Sequence, residues 1–134
     1  MRISGLRESK DIPCTAVAMS GLPVPANFTG RNVLTDEGYD VLGIEYCGSG
    51  CPDLRRRELM FGAFDGRQLI GTKQSLFPPN RKLIIREQYD LTDDPKQLRK
   101  QRGKKAPDRQ LVDYILNRRQ VVAGYIAHNN AVQI

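Results

Sequence analysis

Glu58-Leu59-Met60-Phe61-Gly62-Ala63-Phe64-Asp65-Gly66-Arg67-Gln68-Leu69-Ile70-Gly71-Thr72-Lys73-Gln74 is the stretch that decides the fold. Two strand-length runs, the first of them apolar, flank Asp65-Gly66, a pair suited to the two positive φ values of a type I′ turn, whose twist matches that of paired strands. With those two residues as the turn, Phe64 faces Arg67, Gly62 faces Leu69, Phe61 faces Ile70 and Leu59 faces Thr72. Glu58 then meets Lys73 as an opposite-charge pair. The run from Glu58 to Phe64 is apolar at odd and even positions alike. That predicts a central strand covered on both faces, with a helix or a second subunit over one of them.

Outward from this hairpin, between Ile12 and Tyr89, glycines and prolines punctuate short runs of β-branched and aromatic residues, the rhythm of a β-meander. The runs are 14–19, 32–34, 39–47, 58–64, 67–74 and 81–89. After Tyr89 the pattern changes. Asp93-Asp94-Pro95 reads as a helix start, with carboxylates at the positive end of the dipole and proline where its missing N–H costs nothing. The helix it opens is short, basic and ends near Gly103. Ala106-Pro107-Asp108 opens a longer one, in which Leu111, Ile115, Val122 and Ile126 recur along one side and Tyr114, Val121 and Tyr125 widen the stripe. Arg118 and Arg119 fall on its solvent side. The expected fold is α+β: an antiparallel meander of five to six strands, a short basic helix, and a long C-terminal amphipathic helix packing on the sheet or on a partner subunit. Residues 1–134 read as a single domain, mainly β over 12–89, basic over 94–105 and helical over 107–128.

Charge is the second strong signal. Lys96 to Arg119 contains nine basic and two acidic residues, a net +7, whereas the whole chain of 134 residues carries +6. All the excess is therefore local. Charge concentrated in one short segment attracts a polyanion well, because each neutralised phosphate releases condensed counterions. In a helix Lys96, Arg99 and Lys100 repel one another at i, i+3 and i+4, and Leu98 alone offers packing in return; a phosphate-bearing partner removes the repulsion. The candidate nucleic-acid contacts are Lys96, Arg99, Lys100, Arg102, Lys104 and Lys105, joined by Arg55 and Arg57 before the central strand and by Lys82 and Arg86 on the last one. Tyr89, at the sheet edge beside the basic segment, is the candidate for stacking on an unpaired base. The bland alternative for these charges is a solvated, solubilising surface.

Other chemistries find little footing. Cys47-Gly48-Ser49-Gly50-Cys51 lacks the paired short spacings of a zinc site, with only Cys14 and His128 left to complete it, and has three intervening residues where redox pairs have two. No metal and no cofactor is implied. His128 is the single histidine and sits where a cation suits a helix C-terminus, so no residue can be nominated for catalysis. No apolar run is long enough for a bilayer and the start has no secretory profile, so the expected setting is intracellular or intravirion, without membrane contact.

The resulting expectation is a non-enzymatic, self-assembling structural protein of the small viral or phage coat type, an analogy of layout only, holding nucleic acid through a basic surface. RNA is favoured over DNA because no recognition-helix pair is present. A small regulator or inhibitor that docks its basic segment on another protein is the alternative. An α+β enzyme without identifiable catalytic residues is the third.

Overall fold

The structure, a computed structural model, describes residues 5–46, 58–78, 81–101 and 105–131. In chain order the elements are α1 (Asp11–Met19), β1 (Leu42–Tyr46), β2 (Glu58–Phe64), β3 (Gln68–Ser75), β4 (Glu87–Asp90) and α2 (Arg109–Ala131). The four strands of the described residues form one open antiparallel sheet in the order β1-β2-β3-β4, so the α+β class and the C-terminal helix stand while the strand count among the described residues falls short of five to six. The chain divides into two compact units, Met1–Leu42 and Gly43–Ile134.

In the first unit the expected strand at 14–19 is helix α1 instead. Apolar residues follow one another there without alternation, Ala16 and Ala18 favour helix, and Pro13 falls in the first turn, where its lack of an N–H is harmless. Cys14 and Thr15 are buried together with Asp11, at i, i+3 and i+4. Asp11 organises the unit: its carboxylate accepts the N–H of Glu8 at 2.9 Å, the N–H of Arg31 at 2.8 Å and the Tyr39 hydroxyl at 2.9 Å. Burial pushes this carboxyl up, but those three bonds and the charge of Arg7 outweigh it and hold it below the ordinary value of 3.8. Burial and the bond to Asp11 push Tyr39 up to about 12. The Arg31 guanidinium lies 4.1 Å from the Tyr39 ring centroid. Residues 32–34, also expected as strand, form a turn beside this cluster, with Val33 N–H donating to the Thr15 hydroxyl at 3.0 Å. Gly30 has to be glycine, since a Cβ there would stand 2.0 Å from the Lys10 carbonyl oxygen.

In the second unit β2 and β3 pair as expected, but with the turn moved by one residue. Phe64 faces Leu69, Ala63 faces Ile70, Gly62 faces Gly71, Phe61 faces Thr72 and Leu59 faces Gln74. Glu58 meets Ser75 and not Lys73. The central turn residues are Gly66 and Arg67; only the glycine has positive φ, at +95°, which suits a II′ loop and rules out I′. Asp65 fixes this choice, its carboxylate accepting the N–H groups of Arg67 at 2.8 Å and Gln68 at 2.6 Å. The shift moves each partner by two residues, so every side chain keeps its face.

The inner face of this sheet is half apolar and half polar. Leu59, Phe61, Ala63 and Ile70 are buried with Leu76 and with Leu111, Ile115, Ala123 and Ile126 of α2, which packs on β2. Each of the larger side chains contributes roughly 1.5–3 kcal/mol when fully buried. Toward β4 the same face carries the buried Thr72, Gln74, Gln88 and Asp90. They explain why the expected strand over 81–89 shrinks to β4. Gln74 accepts the N–H of Ile84 at 2.9 Å and donates to the Lys82 carbonyl at 3.0 Å, while the Thr72 hydroxyl donates to the Ile84 carbonyl at 2.7 Å. Side chains there replace the ladder.

Within the described residues of this chain α2 covers one face of β2; on the other Met60 is 42% exposed, and Phe64, Leu69 and Tyr89 are half-buried. One further expectation fails in this unit. On α2 the buried stripe runs Leu111, Ile115, Arg119, Ala123 and Ile126, leaving Val121 and Tyr125 at 58% and 69% exposure. Arg119, expected at the surface, is fully buried. It donates to the Ser75 carbonyl at 3.1 Å, and its Nε and Nη1 find no hydrogen-bond partner among the described residues. Arg118 does lie at the surface, paired with Glu45 of β1 at 2.5 Å.

Two measurements check these anchors. Asp11→Ala leaves three donors unpaired in a buried place and is expected to lower stability by about 3 kcal/mol or more, read from urea unfolding. Arg119→Met keeps the volume and removes an uncompensated charge, so the same measurement is expected to give between no change and a gain of about 2 kcal/mol.

Candidate functional site

The basic segment begins where β4 ends. Its geometry is set by two buried carboxylates. Asp90, on the inner face, takes the Arg67 side chain through Nε at 3.1 Å and Nη2 at 3.0 Å and accepts the N–H of Thr92 at 3.1 Å. Asp94, 5% exposed, accepts the N–H of Leu98 at 3.0 Å and of Arg99 at 2.6 Å. The Asp93-Asp94-Pro95 start therefore caps a turn, as a helix N-cap would, but the expected basic helix does not follow. Gln97 takes a left-handed φ of +55°, and the chain runs on in turns and extended backbone to Gln101. Like-charge repulsion at helical spacing, with Leu98 77% exposed and packing nothing, gives the helix no reason to continue. The segment is instead tied down by its backbone: Gln101 N–H donates to the Gln88 carbonyl at 2.8 Å, and the buried Gln88 amide donates to the Lys105 carbonyl at 3.1 Å.

This anchoring turns Asp90 and Asp94 inward, while Asp93 stays exposed and Glu87 lies on the outer face. Lys82, Arg86, Lys96, Arg99, Lys100 and Lys105 are all exposed. Among the described residues Lys82, Arg86, Lys96 and Lys105 form no ion pair. Lys100 reaches Glu87 at 2.6 Å, and Arg99 donates to the Asp93 carbonyl at 2.7 Å. Tyr89 stands on the outer face, its hydroxyl donating to the other oxygen of Glu87 at 2.7 Å, which raises the phenol above its ordinary value. Arg102, Lys104, Arg55 and Arg57 lie outside the described residues, as do Cys47 and Cys51.

One part of the site is not foreseen by sequence reasoning. On the outer face Gly71 of β3 floors a hollow of about 330 Å³ lined by Met60, Thr72, Lys73, Arg86 and Glu87. Gly71 contributes no side chain to the hollow, whereas the space over Gly62, which faces it in register, is taken by the Ile44 side chain. One step along β3, Phe64, Leu69 and Tyr89 form a row across three strands. Of these residues the sequence points only to Arg86 and Tyr89 as contacts, and it places Phe64 in the core. The legible signal is the parity of β3, which sets Leu69, Gly71 and Lys73 opposite Ile70, Thr72 and Gln74.

Among the described residues, no three potential metal-ligating side chains lie together, and no helix is long and apolar enough to cross a membrane. No protein-family model, curated protein or solved structure matches the chain.

The Asp94 anchor titrates. The N–H of Arg99, opposed by burial and helped by the N–H of Leu98, holds its carboxyl below 3.8, so its contribution is complete above the ordinary carboxylate value and lost as pH falls through the lower, folded value. Amide-exchange protection at Leu98 and Arg99 is expected to persist at pH 5 and to disappear below pH 3.8. In Asp94→Ala it is expected to be absent at both.

Proposed function

We propose that this is a non-enzymatic protein that associates with nucleic acid, RNA in the first place, by holding the phosphate backbone on the surface formed by residues 82–101 and Lys105, and that it does so as a self-assembling structural protein. The carrying observation is the sorting of charge in that region. Asp90 and Asp94 are buried and consumed by hydrogen bonds, while Lys82, Arg86, Lys96, Arg99, Lys100 and Lys105 point outward on backbone tied to the sheet. A cationic surface whose members are ordered by the fold presents phosphates with preset positions, which lowers the ordering cost of binding. Self-assembly is supported by the exposed apolar side of α2, where Val121 and Tyr125 are a helical turn apart and more than half exposed.

Replacing Lys96, Arg99, Lys100, Lys104 and Lys105 together by Gln is expected to weaken RNA binding similarly for all sequences and to flatten its salt dependence. The slope of log K against log salt becomes shallower by about 0.7 for every phosphate of a single strand that the variant no longer neutralises. Unchanged affinity at low salt places the interface elsewhere. Light scattering on a size-exclusion column tests assembly: a particle of many copies is expected, and a monomer that ignores RNA refutes the proposal.

A further inference from the structure

The hollow over Gly71 adds a second kind of contact to the proposed one and rests on that reading. We propose that the outer face of the sheet takes an unpaired base of a single strand, seated over Gly71, with the adjoining base stacked on Tyr89 and the phosphate between them held by Arg86.

Its size, about 330 Å³, lies at the lower end of the ligand-pocket range of about 300–1,000 Å³ and suits one planar heterocycle better than a larger ligand. The walls are chemically right for a base: the Met60 thioether and the aliphatic stem of Lys73 offer apolar, polarisable surface, and Arg86 stands at the rim, exposed and without an ion pair among the described residues. Glu87, the one acid in the lining, does not repel a phosphate strongly, because Lys100 and the Tyr89 hydroxyl already sit on its oxygens at 2.6 and 2.7 Å. Leu69, paired with Tyr89, is two residues from Gly71 along β3, about 7 Å, so a base on Tyr89 and a base on Gly71 are neighbours on one strand. Stacking of this kind needs unstacked bases, and a duplex offers none at its surface.

The glycine itself points the same way. Gly71 has no positive φ, and a Cβ added there would meet its nearest atom, Cβ of Glu87, at 3.4 Å, an ordinary contact. Among the described residues neither backbone geometry nor packing asks for glycine. Gly62, by contrast, has the Ile44 side chain 3.2 Å from the place of its Cβ.

This makes a variant that fills the hollow without disturbing the sheet. In Gly71→Val the β-branched side chain suits the strand and occupies the seat of the base. Binding is measured by fluorescence anisotropy with a labelled oligo(C) RNA about twelve nucleotides long, and with a blunt RNA duplex of the same length. The single strand is expected to bind more tightly than the duplex. Gly71→Val and Tyr89→Leu are each expected to weaken the single strand about tenfold and to change the duplex less than about twofold. Should Gly71→Val fail to fold by circular dichroism, Tyr89→Leu and Met60→Ala carry the test. Equal affinity for both RNAs, unmoved by folded variants of this face, overturns the base seat and leaves phosphate holding intact. A native protein that binds neither RNA refutes the function proposed above as well.

Discussion

The inner face of the sheet has to satisfy its own polar groups, and most of the second unit follows from that constraint. Leu59, Phe61, Ala63 and Ile70 bury well against α2, but the face continues into Thr72, Gln74, Gln88 and Asp90, all buried from solvent. Each buried donor or acceptor left without a partner costs about 1–3 kcal/mol, so a handful of failures equals the whole net stability of about 5–15 kcal/mol. Gln74 takes up the backbone of Lys82 and Ile84, Gln88 that of Lys105, and Asp90 the Arg67 guanidinium and the Thr92 N–H. Residues 82–101 and Lys105 therefore lie where the polar end of the sheet binds them. The cations they carry are displayed as a consequence.

What is legible in the sequence is whatever leaves a periodic or strongly local mark. The hairpin from Glu58 to Gln74 is, because the Asp-Gly pair and the apolar run from Glu58 to Phe64 both point to it. Its turn slips by one position because Arg67 keeps negative φ and Asp65 commits its carboxylate to two nearby N–H groups. The long C-terminal helix is legible too, and so is the capping ability of Asp94. The rest is decided by bonds between residues far apart in the chain, which leave no pattern. Asp11 with Arg31 and Tyr39 makes a helix stand where the run from Cys14 looks like a strand, and Gln74 takes the backbone at Lys82 and Ile84 out of the ladder. Arg119 is misplaced for a different reason. Its spacing of four from Ile115 and from Ala123 puts it on the buried stripe, and its charge argues wrongly for the outside.

The described basic residues from Lys96 to Arg119 thus behave in space as two groups. Arg118 is paired with Glu45, Arg109 with Asp113 at 3.6 Å, and Arg119 is sealed in the core with the repulsion of Arg81 added to the cost of burial, which lowers its affinity for its proton. None of these three presents an uncompensated charge at the surface. The field available to a polyanion comes from residues before Pro107 and from Lys82 and Arg86, which precede β4. Charge counted along the chain overstates the helix and understates the sheet.

Arg119 and Gly71 are residues that the fold does not explain by itself, and they differ in a way that matters. Arg119 keeps a cation in a place where Nε and Nη1 have no partner among the described residues, at a cost that methionine would avoid. Gly71 keeps a hydrogen where a side chain would fit, at a cost of roughly 0.5–1 kcal/mol for glycine inside a regular element. Arg119 is fully enclosed, so no ligand reaches it without opening the core, and its cost falls on stability alone. Gly71 opens onto the outer face, between a tyrosine and an arginine that has no ion pair among the described residues, and its cost keeps a hollow open. A penalty that maintains accessible space next to exposed cations is the physical form a binding site takes, whereas the same penalty inside a core only weakens the fold.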